Sequence, residues 1–242
     1  MKVALVTGGT RGIGFSIVKL LALEEDLRVI TCGTKPHSKV KLPAGVEYIQ
    51  CDISSLNSVT AMIKQVIDAH SKIDILVNNA GISHVKPDGR FLIEDIQDET
   101  WHKVINTNLS GAFYTCKQVI PHMKRNHYGR IINISSASAR FGGILASVDY
   151  ISSKAGLIGL TKGLAYELRD CGITVNTVAP GRIDTDMISD ANLSADWAKN
   201  HVPLGRLGKG EDIAGIILFL ISKHADYVHG ATLDCNGGWV IT

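Results

Sequence analysis

Seven short runs rich in Val, Ile, Leu and Thr, at 2–7, 28–32, 47–51, 73–78, 129–134, 174–178 and 232–235, alternate with longer segments of helical period. Ile13, Ile17, Leu20 and Leu21 fall at i, i+4, i+7 and i+8, one stripe of a helix. Near-continuous β-branched runs suit strands buried on both faces, and the helices between them provide the crossovers that parallel strands need. The alternation predicts an α/β fold with one doubly wound, seven-stranded parallel sheet. No long-period repeat or low-complexity linker divides the chain, so residues 1–242 are expected to form one domain.

At 242 residues and 45% hydrophobic, the chain is large enough for one sizeable core. Its formal charge of +2 and the lack of any Lys/Arg cluster longer than Lys124-Arg125 give no footing for nucleic acid or a membrane surface. The apolar start at 3–6 is too short for a signal sequence, and 213–221 is far short of a membrane span. Five cysteines without a C-x-x-C pair fit neither a disulfide framework nor a zinc site and point to a reducing, cytoplasmic setting. The nine histidines include no H-E-x-x-H, so no metal is expected, and a G-x-S-x-G elbow is absent.

The first run ends in Thr7-Gly8-Gly9-Thr10-Arg11-Gly12-Ile13-Gly14 and opens the first helical stripe. Glycines there let backbone N–H groups approach a pyrophosphate at the positive end of a helix. A P-loop is disfavoured, because Phe15 stands where its lysine must be. The glycines at 8, 12 and 14 read T-G-x-x-x-G-x-G rather than G-x-G-x-x-G.

Three further stretches accompany the loop: Asn78-Asn79-Ala80-Gly81 after the fourth strand, Ser135-Ser136 closing the fifth, and Tyr150-Ile151-Ser152-Ser153-Lys154. Together they resemble the short-chain dehydrogenase/reductase family, and the similarity runs through nearly the whole chain. The resemblance implies a Rossmann-type fold and a nicotinamide cofactor. It assigns cofactor contacts to Gly8, Thr10, Arg11, Gly12, Ile13 and Gly14, and to Asn79, Ala80 and Gly81, whose backbone lies beside the ribose. Asp52, with Ile53, is similar to the family's adenine-contacting aspartate, and Pro180, Gly181, Ile183 and Thr185 to the motif at the nicotinamide carboxamide. Read without the family, Asn78–Gly81 is an Asn/Gly turn and Asp52 a local cap.

Tyr150 and Lys154, four apart, share one helix face. Reducing a ketone needs a hydride on the carbonyl carbon and a proton at its oxygen. A phenol has an unperturbed pKa of about 10, and an ammonium one turn away favours its ionised form. Lys154 is therefore expected to make Tyr150 usable as the general acid, with both also touching the cofactor. The resemblance adds Ser136 on the substrate oxygen and Asn108 holding a water in a proton relay to Lys154. Their plain readings are a strand-terminating serine and a buried helix asparagine. Ser136 precedes Tyr150 by fourteen positions and its competitor Ser138 by twelve, where the family commonly has thirteen. Aligning the strand favours Ser136 and puts the extra residue in the loop at 142–145.

An NAD site would carry an acid after the second strand to hold the ribose 2′-OH. The stretch Thr31-Cys32-Gly33-Thr34-Lys35-Pro36-His37-Ser38 has none. Lys35 and Arg11 instead suit a 2′-phosphate, with Thr34 adding a hydroxyl, so the cofactor is expected to be NADPH/NADP+. Their alternative is solvated surface charge. Arg182 faces an anionic substrate group or solvent, and solvent is the expectation.

Within the family the chain looks most like the 3-oxoacyl-carrier-protein reductases, through 172–176, Ala179-Pro180-Gly181 and Asn236-Gly237-Gly238. It departs from them in a longer 81–101 segment containing Lys86-Pro87-Asp88-Gly89-Arg90, and in Cys171, where a basic residue often meets the carrier. Lys124, Arg125 and Arg169 are candidate substitutes. Met187, Ile188, Leu193 and Trp197 suggest an apolar lid for an acyl chain or hydrophobic ketone, although a core helix would look the same. The expected substrate is a 3-oxoacyl thioester, on an acyl carrier protein or coenzyme A, or a related ketone. An NADP-dependent alcohol, sugar or steroid dehydrogenase, and a non-catalytic NADP-binding sensor, stay open at this point. The family's packing implies a homotetramer, with a homodimer as the alternative.

Overall fold

The computed structural model describes residues 1–84, 89–142, 146–185 and 195–241. The described residues form one sheet with all seven strands parallel, in the order β3-β2-β1-β4-β5-β6-β7. The strands are β1 (Lys2–Thr7), β2 (Leu27–Gly33), β3 (Glu47–Gln50), β4 (Ile75–Asn78), β5 (Gly129–Ile134), β6 (Ile173–Pro180) and β7 (Thr232–Cys235). The helices that position the site are α1 (Gly12–Leu21), α2 (Leu56–His70), α3 (Asp98–Ile105), α4 (Gly111–Asn126), α5 (Ser138–Phe141), α6 (Val148–Glu167), α7 (Ala195–His201) and α8 (Gly210–Ile221). Among the described residues no helix is long and apolar enough to cross a membrane.

The period-2 alternation of a strand divides the core in two. Val3 and Leu5 of β1 face one cluster with Val59, Met62 and Ile63 of α2 and Val119 and Met123 of α4. Ala4 and Val6 face the other, with Ile17, Val18 and Leu21 of α1 and Ile213, Ile217 and Leu220 of α8. Burial on both faces is why these strands read as unbroken apolar runs.

Expected and observed strands differ at their ends. β4 starts at Ile75 rather than Ile73, because the Asp74 carboxylate takes the Val3 N–H at 2.8 Å and the β1–β4 register begins at Ala4↔Ile75. β6 runs on to Pro180, which pairs with Cys235 of β7.

The strand order reverses direction between β1 and β4, so a crevice opens outside their carboxyl ends. The glycine loop leaves β1 there and Asn79–Gly81 leaves β4, directly across from it.

Candidate active site

The two turns are laced together. Asn79 Nδ2 donates to the carbonyls of Thr7 at 2.9 Å and Gly8 at 3.1 Å, and Thr7 Oγ1 accepts the N–H groups of Asn79 and Ala80, both at 3.1 Å. Thr31 Oγ1 accepts the Gly9 N–H at 2.9 Å, fixing the loop from the β2 side. A Cβ on Gly14 would lie 2.3 Å from both the Gly8 carbonyl oxygen and Asn79 Nδ2, so only glycine lets α1 begin this close to the loop. Backbone N–H groups are thereby gathered at a helix N-terminus, which fits a pyrophosphate. The Asn79 side chain is engaged in building this cradle.

Thr10 lies beside Gly33 at the end of β2, where an added Cβ would sit 3.5 Å from Thr10 Cγ2. The glycine loop and the Thr34–Lys35 turn therefore form one mouth, and Arg11, Thr34 and Lys35 are all exposed at it. The Tyr48 hydroxyl, shared between the carbonyls of Gly33 at 2.8 Å and Lys35, holds that turn. Asp52 is exposed, and its Oδ1 accepts the N–H (2.9 Å) and hydroxyl (2.7 Å) of Ser54, the local-cap geometry. Ile53 is buried against Gly111 at the start of α4.

On the other side of the cleft, the Gly181 N–H bonds the Cys235 carbonyl at 2.9 Å and the Pro180 carbonyl accepts the Ala137 N–H at 2.8 Å. Ile183 is buried and bridges to Gly208. This brings the Thr185 methyl to 3.5 Å from where a Cβ on Gly12 would stand, so the β6 turn closes over the glycine loop.

Helix α6 turns Ser153, Lys154, Leu157 and Thr161 inward. Lys154 Nζ donates to the Ile134 carbonyl at 2.8 Å, and the Ser135 hydroxyl donates to the Lys154 carbonyl at 2.7 Å. These bonds seat Tyr150 over the end of β5, with Lys154 Nζ 5.7 Å from the centre of its ring. The Ser136 hydroxyl is hydrogen-bonded to the phenol and also accepts the Ser138 N–H at 3.1 Å. The structure thus brings Ser136 to the phenol, while Ser138 is buried at the start of α5.

Asn108 lies in a π-helical turn, Asn106–Ser110, that joins α3 to α4. π-turns concentrate at functional sites, and no sequence pattern announced this one. Asn108 Oδ1 accepts the Ile82 N–H at 2.8 Å, and Nδ2 donates to the Ile82 carbonyl at 2.9 Å and to Ser153 Oγ at 3.0 Å. The buried amide clamps the Asn79–Gly81 turn to α6. A Cβ on Gly81 would lie 3.2 Å from Asn108 Oδ1 and 3.3 Å from Lys154 Nζ.

Burial raises the Tyr150 pKa, against the opposing effects of the Ser136 hydrogen bond and the Arg182 charge. Burial also lowers Lys154 to about 8. The sequence assigned the charge acting on Tyr150 to Lys154. In the folded chain the Arg182 charge also acts on the phenol, while the Lys154 ammonium, 5.7 Å from the ring centre, donates to the Ile134 carbonyl.

The phosphate cradle and the phenol–serine–lysine cluster thus meet at the Asn79–Gly81 turn. Residues 8–240 match the family model described as Enoyl-(Acyl carrier protein) reductase. The chain belongs to the short-chain dehydrogenase/reductase family. It is 41% identical over 246 residues to the 3-oxoacyl-(acyl-carrier-protein) reductase of Chlamydia pneumoniae, covering 98% of this chain and 96% of the relative. It is 39% identical over 245 residues to that of Vibrio harveyi (98% and 96% covered) and 40% over 247 residues to that of Staphylococcus aureus strain Mu50 (98% and 97%).

Several features of this short-chain dehydrogenase/reductase escaped sequence reasoning. Asn78, Asn133, Thr161 and Thr177 form a buried chain of hydrogen bonds crossing β4, β5, α6 and β6, with links of 2.9, 2.8 and 2.7 Å. Ser147 accepts the Phe91 N–H at 3.0 Å and so ties the longer 81–101 segment to the start of the helix carrying Tyr150. Arg182 does not project into solvent as expected: it is half-buried between Trp197 and Trp239, because two indole faces lie within reach of its side chain. Among the basic residues weighed for carrier docking, Lys124 pairs with Glu167 at 3.6 Å and Arg169 with Asp170 at 3.4 Å. The 86–88 part of the long segment, the 143–145 part of the insertion loop, and Met187, Ile188 and Leu193 of the expected lid lie outside the described residues.

Proposed function

We propose that this chain is an NADPH-dependent ketoreductase acting on a 3-oxoacyl thioester. The observation that carries the reading is the Tyr150 phenol: burial keeps it protonated, Ser136 hydrogen-bonds it, and its helix partner Lys154 meets Gly81 in the turn laced to the glycine loop. The names of the curated relatives supply the thioester.

The glycine cradle, the acid-free end of β2 and the exposed Arg11 and Lys35 fit a dinucleotide with a 2′-phosphate. When bound, that cofactor supplies the hydride. Ser136 and Tyr150 hold the ketone oxygen, and the raised pKa keeps the proton on the phenol until the oxygen becomes a far more basic alkoxide. The phenolate left behind is then stabilised by Arg182, by the Ser136 hydrogen bond and by Lys154 one turn away. Lys154 regains its proton along the edge formed by Gly81 and Asn108, the route the relay assigns to Asn108.

Exposed Phe113 on α4, Tyr166 on α6 and Phe219 on α8 support assembly as a homotetramer, which light scattering on the purified protein tests; a monomer at micromolar concentration overturns it.

The functional test is an NADPH-oxidation screen with acetoacetyl thioesters on coenzyme A and on a carrier protein, beside free ketones, keto sugars and steroids. Thioester turnover that falls about 10²- to 10⁴-fold in Tyr150→Phe is expected. Unchanged turnover in that variant, or turnover of sugars or steroids alone, overturns the reading.

A further inference from the structure

Arg182 follows the Pro180-Gly181 turn, and its guanidinium carbon stands 5.1 Å from the ring centre of Trp239 and 5.9 Å from that of Trp197. The two indoles are themselves braced. They meet edge-on at 6.0 Å, Trp197 stacks on His201 at 4.6 Å with 8° between the planes, and Trp239 meets Phe141 edge-on at 5.0 Å. The frame draws on α5, α7 and the segment after β7, three parts of the chain remote in sequence.

Within it the guanidinium is half-buried, and its Nε is closed off from solvent with no hydrogen-bond partner among the described residues. Aromatic faces offset part of the desolvation of a cation but offer no acceptor to an N–H. A buried donor without an acceptor is costly and is seldom kept unless something fills it. Arginine stays charged even so, and its planar fork suits an oxygen acceptor. Its charge reaches the Tyr150 phenol, and Tyr150 reciprocally acts on Arg182, so the framed guanidinium and the phenol are neighbours.

We propose that Arg182 receives the acyl-side oxygen of the substrate, the carbonyl or carboxylate oxygen two carbons from the ketone that Tyr150 protonates, and so selects 3-oxoacyl compounds over simple ketones. This rests on the ketoreductase reading above. In a 3-oxoacyl compound one methylene separates the two carbonyl carbons, so placing the ketone between Ser136 and Tyr150 leaves the second oxygen within reach of a neighbouring cation. Arg182 is a cation whose charge reaches the phenol, and unlike Lys154, which donates to the Ile134 carbonyl, its Nε has no partner among the described residues.

The test compares Arg182→Gln and Arg182→Lys with the wild type on acetoacetyl-coenzyme A, on acetoacetate, and on a simple ketone assayed as substrate or competitive inhibitor. NADPH fluorescence titration checks that each variant still binds its cofactor. In Arg182→Gln, KM for the 3-oxo compounds is expected to rise at least tenfold more than the KM or inhibition constant of the simple ketone. Arg182→Lys should recover part of the loss. A larger loss on acetoacetate identifies a carboxylate as the bound oxygen, and a larger loss on the thioester identifies its carbonyl; either supports the assignment. Equal losses on all three compounds, no loss, or loss of NADPH binding overturn it. A wild type that reduces simple ketones but no 3-oxo compound overturns the underlying reading as well, a result visible without any variant.

Discussion

The ammonium of Lys154 donates to the carbonyl of Ile134 at 2.8 Å, joining the helix that carries Tyr150 to the end of the strand that leads into Ser136. One bond between residues twenty positions apart thus holds the Tyr150 phenol near Ser136. It also uses the lysine as a strut as much as a charge.

That strut is a cation in a dry place, with a pKa lowered to about 8 against 10.5 for the ordinary side chain. Below pH 8 both folded and unfolded chains carry the proton and the burial penalty is present in full. Between about pH 8 and 10.5 the unfolded chain binds more protons than the folded one, so this group's contribution to stability improves as pH rises. Urea midpoints of wild type and Lys154→Met at pH 7.5 and pH 10 check this. The wild type should gain on the variant at the higher pH, and a constant difference would contradict it.

Ser136 and Ser138 are separated by one residue but by their surroundings more decisively. Ser136→Ala removes the hydroxyl on the phenol and should lower kcat/KM with an acetoacetyl thioester by about 10- to 100-fold, the worth of a hydrogen bond to a developing charge. Ser138→Ala should stay within about threefold, since a hydroxyl confined to a helix start contributes little to the reacting atoms. The reverse ranking would move the site to Ser138.

The exposed mouth formed by Arg11, Thr34 and Lys35 has a sharp consequence for cofactor choice. Arg11→Ala and Lys35→Ala should each weaken NADPH binding by about 3- to 30-fold while leaving NADH nearly unchanged, because only NADPH carries the 2′-phosphate. The preference for NADPH should shrink with added salt, as screened surface charges require. Isothermal titration with both cofactors at two salt concentrations measures it, and equal losses for NADH would count against this mouth.

Asn133 sits fully buried between Asn78 and Thr161. Asn133→Ala leaves polar partners on both sides without water or replacement and should cost about 2–4 kcal/mol of stability. Urea denaturation measures it; a cost below about 1 kcal/mol would mean the polar chain is not acting as a unit.

The fold was legible in the sequence because a sheet buried on both faces demands contiguous apolar strands, and 2–7, 129–134 and 232–235 coincide with β1, β5 and β7 to the residue. The glycine loop and the Tyr150–Lys154 pair were legible because each acts through neighbours in the chain, a turn or one helical step. Aligning the strand already favoured Ser136 over Ser138, but only the tertiary structure decided where the Lys154 ammonium points, that Asn108 clamps Ile82, and that Arg182 lies between Trp197 and Trp239. Those outcomes depend on contacts between residues distant in sequence and on desolvation. A linear pattern records neither quantity, since both arise only when the strands and helices have packed.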